Sequence, residues 1–300
     1  MVKIVTDSVA GLSAAEARER DIEIVSLFVN WNGIEYVESD LDVDDFYGKI
    51  ADMADNAPTS SQPSQHELEE VFEKIAQDGD ELLGVFISSG LSGTYEGAIR
   101  AARSVAARNA GFNFRIIDAC SVSYDEVWPL LRAVAARDAG ADLDTCASEC
   151  YEGIASSRFF FVPESLAFLR AGGRIGAASA LIGGLVKIIP IITVTDGKVN
   201  PFAKVRTHGK AMRSMYDLFK KDVEQYGIKN VVVHYIGDKK DAVAWAREKI
   251  EPLLGHAVAV KPVSPVVGVH VGPAIGIAYE CASRIADKIN KPLSAVVCSA

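Results

Sequence analysis

Residues 82–95, LLGVFISSGLSGTY, carry the clearest structural signal in the chain. Leu82–Ser88 is a continuous apolar run, which is typical of a strand buried on both faces. The apolar spacing of Thr94–Arg108 predicts a helix, and the glycine- and hydroxyl-rich segment before it predicts a turn. A buried strand, a tight turn and a helix form one unit of a parallel α/β sheet.

The same alternation of strand and helix runs through the first half of the chain. We predict strands at Lys3–Thr6, Glu23–Val29, Ile34–Val37 and Phe114–Asp118, and helices at Ala14–Arg20, Val43–Met53, Ser64–Ile75 and Asp125–Ala139. Asn32–Gly33 is a hairpin signal of the type I′ kind, and Ser64 has the spacing of a capping box with Glu67. Pro58–Pro63 is interpreted as a loop. This half therefore predicts a parallel sheet covered by helices on both faces.

The pattern changes after about Ser156. We predict strands at Phe159–Val162, Ile188–Thr195, Val199–Val205, Asn230–Ile236, Ala257–Val263 and Ala274–Tyr279, and helices at Lys210–Gln225 and Lys240–Glu251. Asp196–Gly197 is a second hairpin signal, and hairpins with helices between them are typical of an α+β domain. We therefore expect two domains, 1–156 and 157–300, with no clear pattern in the tail Ser283–Ala300.

Composition excludes several classes of protein. The net charge is −9 and the basic residues are scattered, which argues against a nucleic-acid groove. The start, Met1–Lys3, leads directly into a strand, so we expect no signal peptide. In Ile175–Val194 a lysine, a proline and three glycines favour a short buried helix and a strand over a membrane span. The cysteine count is odd without a C-x-x-C pair, so Cys146 and Cys150 are expected as core residues in a reducing cytoplasm.

Ser88–Tyr95 is also the best candidate for a binding site. Amide groups at a helix start are unsatisfied, and glycines let a ligand approach them, so the segment could bind an anion. Ser92 or Thr94 could equally be an ordinary helix cap. Ligands of such sheets bind beyond the carboxyl ends of the strands, where Asp7–Ser8, Asp118–Ser123 and Thr59–Ser61 could also meet. Hydroxyls without a basic cluster suit a single carboxylate.

A serine-dependent lipid hydrolase or acyltransferase that uses Ser92 and His270 is the alternative interpretation of this segment. A nucleophile elbow requires G-x-S-x-G, whereas Thr94 stands where the last glycine belongs. His270 could act as the base of Ser92 and Asp7 or Asp118 as its orienting group, but nothing in the sequence brings them together. His270 could also be a core residue. The other histidines lack metal-ligand spacing and are interpreted as structural or solvated: His66, His208, His234 and His256.

Three arginines form a further candidate group. Arg170 and Arg174 lie in the Leu169–Ile175 segment at the end of a predicted helix, and Arg206 follows a predicted strand. They could be solvated side chains that satisfy helix carbonyls. They could also dock a partner or a phosphorylated product, because guanidinium groups suit both.

In these segments the chain resembles the DegV family of bacterial fatty-acid-binding proteins, from Lys3 to about Tyr279. The resemblance rests on five segments: Val5–Ser8, Ser60–Ser64, Ser89–Tyr95, Leu169–Ile175 and His270–Pro273. It implies an α/β, two-domain fold with an N-terminal parallel sheet and a C-terminal α+β domain whose sheet is mostly antiparallel. It also implies a non-enzymatic carrier that holds a long-chain fatty acid in a tunnel. Such a carrier presents the carboxylate to a separate fatty acid kinase, which forms an acyl phosphate.

Carried over by position, the resemblance implies roles for single residues. Ser92, the Gly93 amide and Ser60 would hold the carboxylate, with Ser61 or Thr59 as alternatives to Ser60 and with His270 nearby. Arg170, Arg174 and Arg206 would contact the kinase or the new phosphate. No cofactor, metal or nucleic acid is expected, and at most a transient contact with a membrane surface. Two departures from the family pattern, Ala274 and the bulky segment Ser121–Glu126, leave the shape of the tunnel open.

Overall fold

The computed structural model describes residues 1–54, 56–181, 188–290, 293–294 and 296–297. The strands are β1 (Val2–Asp7), β2 (Ile22–Val25), β3 (Phe28–Trp31), β4 (Ile34–Val37), β5 (Thr59–Ser61), β6 (Glu81–Phe86), β7 (Phe114–Asp118), β8 (Ser157–Pro163), β9 (Ile189–Thr195), β10 (Lys198–Val205), β11 (Ile228–Ile236), β12 (Ala259–Pro262), β13 (Ala274–Cys281) and β14 (Val296–Val297).

The α-helices are α1 (Ala14–Glu19), α2 (Val43–Tyr47), α3 (Gln65–Gln77), α4 (Thr94–Arg108), α5 (Tyr124–Asp138), α6 (Leu143–Ser156), α7 (Ala167–Ala171), α8 (His208–Tyr226), α9 (Lys240–Trp245), α10 (Glu251–Leu254) and α11 (Pro265–Val271). Single turns of 3₁₀ helix occur at Ser8–Ala10, Glu38–Asp40 and Asp52–Ala54, a longer one at Gly176–Leu181, and a π-helical turn at Ala246–Ile250 joins α9 to α10.

The first sheet has the strand order β14-β7-β6-β1-β2, and its four long strands are parallel. Successive side chains of a strand point to opposite faces, so the side chains of β6 pack in two hydrophobic cores, one on each face of the sheet. Leu82 and Phe86 pack with α3 and α4, whereas Leu83 and Val85 pack with α5 and α6. The prediction of a parallel sheet covered on both faces is confirmed, and the start and end of α4 and β7 were predicted to the residue.

The second sheet has the order β10-β9-β8-β13-β11-β12 and is antiparallel except for the parallel pair β11 and β12. On β8, Phe160 and Val162 face a core that includes α8, while Phe159 and Phe161 face the loops at the edge of the first sheet. The predicted mostly antiparallel second sheet is confirmed. Its inner face and these loops enclose the site described below.

A small third sheet, β4-β3-β5, bridges the two. The predicted hairpin at Asn32–Gly33 is confirmed, with both residues at positive φ, as a type I′ turn requires. Two predictions here were wrong. The strand predicted at Glu23–Val29 divides between β2 and β3, which belong to different sheets, and the loop predicted at Pro58–Pro63 contains β5, because Thr59–Ser61 pairs with β3.

Other boundaries also differ from prediction. The helix predicted at Val43–Met53 ends at Tyr47, and Gly268–His270 lies in a short helix, α11, that was not predicted. In Ile175–Val194, where a short buried helix and a strand were predicted, the strand is β9, whereas the described helix Gly176–Leu181 buries only Ala178; residues 182–187 lie outside the described part. Cys146 and Cys150 are free and buried on one face of α6, as expected. The tail returns to the first sheet, where β14 pairs with β7, and the division into 1–156 and 157–300 stays a prediction.

Candidate ligand-binding site

A cavity of about 340 Å³ lies between the inner face of the second sheet and the loops of the first. This volume falls in the range of about 300–1,000 Å³ that is typical of ligand pockets. One end is polar and contains Ser60, Ser61, Gln62, Ser92, Gly93, Arg174 and His270. The remaining wall is mostly apolar and includes Leu27, Ile87, Val122, Phe159, Phe161, Val194, Val263, Val266 and Val271. The structure thus brings Ser60, Ser61, Ser92, Gly93 and His270 to one end of one apolar cavity, whereas the alternative Thr59 is exposed and lies outside its lining.

The polar end lies where the strand order of the first sheet reverses, between β1 and β6. Ligands of doubly wound sheets bind at this point. Asp7, at the end of β1, accepts hydrogen bonds from the Val9 N–H at 3.0 Å and the Ile87 N–H at 2.8 Å. It therefore fixes the end of β6 and the start of the loop that follows. Burial raises the pKa of Asp7 to about 7.

The loop from Ser88 to Gly93 is held by its neighbours on both sides. The Ser88 hydroxyl donates to the Gly197 carbonyl at 2.8 Å, and the Ser88 carbonyl accepts from the Leu91 and Ser92 N–H groups. The Ser89 hydroxyl donates to Asp118 at 2.6 Å. These contacts anchor the loop to both sheets and aim the start of α4 into the cavity.

Ser92 and Gly93 stand at the first turn of α4. The Ser92 and Thr94 hydroxyls lie 2.8 Å apart, and the Thr94 N–H donates to the Ser92 hydroxyl at 3.3 Å. The N-cap of α4 is Gly93, so Ser92 is not the cap; its hydroxyl accepts from the Thr94 N–H and also lines the cavity. At Gly93 a Cβ atom would lie 2.5 Å from Gln62 Oε1, so glycine keeps the approach to the helix amides open.

Ser60 and His270 meet at the polar end, although they are 210 residues apart. Ser60 lies on β5 and His270 near the end of α11, and Ser60 Oγ is 2.7 Å from His270 Nε2. The Nδ1 atom is buried and has no hydrogen-bond partner among the described residues. An orphaned buried N–H group is rarer than an orphaned acceptor. This favours the tautomer in which Nε2–H donates to Ser60, so that the Ser60 hydroxyl hydrogen is free to point at a ligand.

The imidazole of His270 is neutral at neutral pH. Burial and, to a smaller extent, the nearby Arg174 guanidinium lower its pKa to about 4. Arg174 is exposed at the mouth of the cavity, where it donates to the Gly172 carbonyl at 2.7 Å and to the Leu91 carbonyl at 3.3 Å. The positive charge at this end of the cavity is therefore that of the arginine.

The three predicted docking arginines do not form one cluster around the site. Arg174 lines the cavity. Arg170, four residues earlier in the sequence, is exposed at the end of α7. Arg206 is exposed beyond the far end of β10. Since strands rise about 3.3 Å per residue, it lies roughly 25 Å along the strand from Lys198.

His234 is a cavity residue that the sequence did not indicate. Its ring is fully buried and lines the cavity, Nδ1 lies 3.1 Å from the Lys261 carbonyl, and Nε2 lies 3.3 Å from the Ser123 hydroxyl. Burial lowers its pKa to about 4. Tyr124 packs behind His234, with 5.4 Å between ring centres. The bulky segment Ser121–Glu126 thus contributes Val122 to the wall and Tyr124 to its support.

The geometry expected of a serine hydrolase is not assembled. Ser92 pairs with Thr94, while His270 pairs with Ser60. Asp7 is engaged by backbone N–H groups and Asp118 by the Ser89 side chain and the Cys120 N–H, so neither orients His270. In the described part of the chain, no cluster of three or more histidine, cysteine or acidic side chains is suited to a metal ion. Nor is any helix in that part sufficiently long and apolar to span a bilayer.

Comparison with known proteins gives consistent matches over nearly the whole chain. The family model described as DegV family matches residues 1–281. DegV domain-containing proteins from Clostridium acetobutylicum and Clostridium perfringens are 37% and 38% identical to this chain, cover 93% of it, and are themselves covered to 97% and 98%.

Solved structures match equally well in fold. A stearic acid-binding protein from Eubacterium ventriosum has a TM-score of 0.83 at 27% identity. The match covers 94% of this chain and 99% of that protein's chain. DegV, a fatty acid binding protein from Bacillus subtilis, has a TM-score of 0.83 at 26% identity, covering 93% and 99%.

Proposed function

The chain belongs to the DegV family, and on that basis we propose that it binds a long-chain fatty acid in the cavity between its sheets. The observation that supports this most strongly is the joining of an apolar cavity to a single polar end made by Ser60, Ser92, Gly93 and His270. The structural relatives named as fatty-acid-binding proteins share this fold.

The polar end suits one carboxylate. The Ser60 and Ser92 hydroxyls and the Gly93 N–H can donate to its oxygens, and the helix start favours negative charge. Arg174 at the mouth supplies a full positive charge. With His270 neutral and donating to Ser60, the Ser60 hydroxyl hydrogen is directed to the ligand. A polyphosphate would need more cations than this end provides.

The apolar wall would supply most of the affinity. Burying a methylene contributes about 0.8 kcal/mol, so a chain of about fifteen methylenes contributes about 12 kcal/mol before costs. Lost freedom of motion opposes this by about 4–15 kcal/mol. Affinity would therefore depend on the length of chain that the cavity accepts, whereas the hydroxyls fix the orientation of the head group.

We propose further that the protein is a carrier that presents the carboxylate to a fatty acid kinase. At the polar end Ser60 and His270 form a serine–histidine pair, yet His270 Nδ1 lacks the orienting acceptor that a catalytic triad needs. Arg170 and Arg174 are exposed next to the polar end, where a kinase would approach. Chemistry on the carboxylate would then be the task of the partner.

The direct test is mass spectrometry of an organic extract of the purified protein, which we expect to contain a long-chain fatty acid. Ser92→Ala should weaken rebinding about tenfold or more, because a hydrogen bond to a charged group contributes about 1.5–3 kcal/mol. Ser214→Ala, on α8 away from the cavity, is the control. A protein that is free of lipid and ignores added fatty acid would refute the proposal.

The kinase step is tested separately with an added fatty acid kinase. Arg206→Ala should leave fatty acid binding unchanged, since Arg206 is exposed and lies outside the cavity. It should lower acyl phosphate formation, because we propose that the kinase contact extends from Arg170 and Arg174 to Arg206. Arg213→Ala, exposed on α8, is the matched control. Equal acyl phosphate formation by both variants would remove Arg206 from the docking surface.

A further inference from the structure

A second cavity of about 840 Å³ lies beside the first, between α1, the Ser8–Ala10 turn and the end of β12. In the described part of the chain, Val263 is the one residue that lines both cavities. We propose that Val263 closes the end of the first cavity that receives the methyl end of the fatty acid. It would thereby set the longest acyl chain that the protein accepts. This inference rests on the proposed function and names the residue that selects among its ligands.

Val263 is held firmly in place. It is 2% exposed, its N–H donates to the Tyr235 carbonyl at 3.0 Å, and its carbonyl accepts from the Tyr47 hydroxyl at 2.8 Å. A valine side chain is also stiff, because branching at Cβ restricts χ1. The partition between the two cavities is therefore a fixed stop rather than a flap.

The space beyond Val263 is unsuited to the methyl end of a fatty acid. Its wall contains Glu38, which accepts from the Ser8 hydroxyl and the Val266 N–H, and the pair of Lys261 and Glu16 at 2.5 Å. Charged and hydrogen-bonded groups lose water when apolar chain covers them, and this opposes entry. The wall of the first cavity, by contrast, is mostly apolar, and Val266, three residues after Val263, belongs to it.

Moving the stop should change chain preference in both directions. Val263→Ala removes two methyl groups from the partition, and each further methylene accommodated should favour the longer acid about fourfold. Val263→Leu extends the side chain into the first cavity and should favour a shorter acid. The polar end is untouched in both variants, so the head group should be bound as before.

The test is competition among myristate, palmitate, stearate and arachidate for lipid-free protein, with the bound ratios read by mass spectrometry. Relative to wild type, Val263→Ala should shift the ratios toward longer acids and Val263→Leu toward shorter ones. Val134→Ala, the same truncation in the core between the first sheet and α5, is the control for a general loss of packing and should keep the wild-type ratios.

The outcomes separate this inference from the proposed function. A wild-type protein that takes up none of the four acids refutes both. A wild-type protein that binds them, together with Val263 variants that keep its ratios, refutes the end-stop alone. A shift in the Val134→Ala control equal to that in Val263→Ala would also refute it, because the effect would then come from loosened packing.

Discussion

Lys288 makes the ion pair whose removal should affect the fold most. Its ammonium group contacts Asp125 at the start of α5, and the side chains of the two residues are 1% and 0% exposed. The same oxygen of Asp125 accepts from the Ser121 hydroxyl, while its other oxygen has no partner among the described residues. Lys288→Ala would leave this carboxylate buried with one hydroxyl donor.

The expected cost is large relative to the stability of a protein. Breaking a buried pair by removing one partner costs about 3–5 kcal/mol, against a total free energy of unfolding of about 5–15 kcal/mol. We expect urea to unfold Lys288→Ala at a clearly lower concentration than wild type. The double variant Asp125→Asn, Lys288→Met should recover part of the loss, because it leaves no buried charge.

Lys49→Ala is the matched control, since Lys49 makes an exposed pair with Asp45 at 2.8 Å. Its unfolding midpoint should stay within error of wild type. The reasoning would be refuted if Lys288→Ala unfolded at the same urea concentration as Lys49→Ala. Lys288→Ala should also weaken ligand binding, because the segment that contains Lys288 is linked to the site. The Asn290 N–H donates to Asp196 at 2.7 Å, and the next residue, Gly197, accepts a hydrogen bond from Ser88 through its carbonyl.

Three further predictions concern the polar end. Ser60→Ala should weaken fatty acid binding about tenfold and Ser61→Ala much less, because Ser60 contacts His270 whereas Ser61 contacts Asn30 at 3.4 Å. Equal losses of affinity in a fluorescent displacement assay would contradict this. Gly93→Ala should weaken binding with little change in stability, because only the end of the Gln62 side chain must move; calorimetry that finds unchanged affinity would contradict it. The pKa of His270 falls from 6.5 to about 4 on folding, so the unfolded state binds more protons and stability should fall by up to about 3 kcal/mol as pH drops between these values. His270→Gln should flatten that part of the pH profile of urea unfolding, with His234 titrating alike in both proteins, and parallel profiles would contradict it.

Segments with strong local signals were predictable from the sequence. The helix Thr94–Arg108 and the strand Phe114–Asp118 were placed to the residue, and the Ser64–Glu67 capping box is present. β5 was not predicted, since three residues become a strand only when β3 lies beside them. The start of α11 did carry a signal, Ser264 as cap followed by Pro265, which favours the first position of a helix.

The candidate site was predictable only in part, because its members come from distant segments. Hydroxyls and glycines before a helix indicated an anion site at Ser92 and Gly93. The contact between Ser60 and His270 depends on β5 joining the third sheet and on α11 packing against it, and neither leaves a pattern in the sequence. The same holds for His234, whose place in the cavity wall follows from the pairing of β11 with β12 and β13.

The electrostatics of the polar end explain how a protein with a net charge of −9 could bind an anion there. Asp7 and Asp118 lie at the ends of β1 and β7, where they contact Ile87 and Ser89 in the segment that leads to the polar end. Burial raises the pKa of Asp7 to about 7, which reduces its charge at neutral pH, and two N–H groups and the Ser89 hydroxyl are oriented toward the Asp118 carboxylate. The start of α4 and Arg174 then leave a locally positive field at the mouth. Local charge therefore favours a carboxylate, although the chain as a whole is acidic.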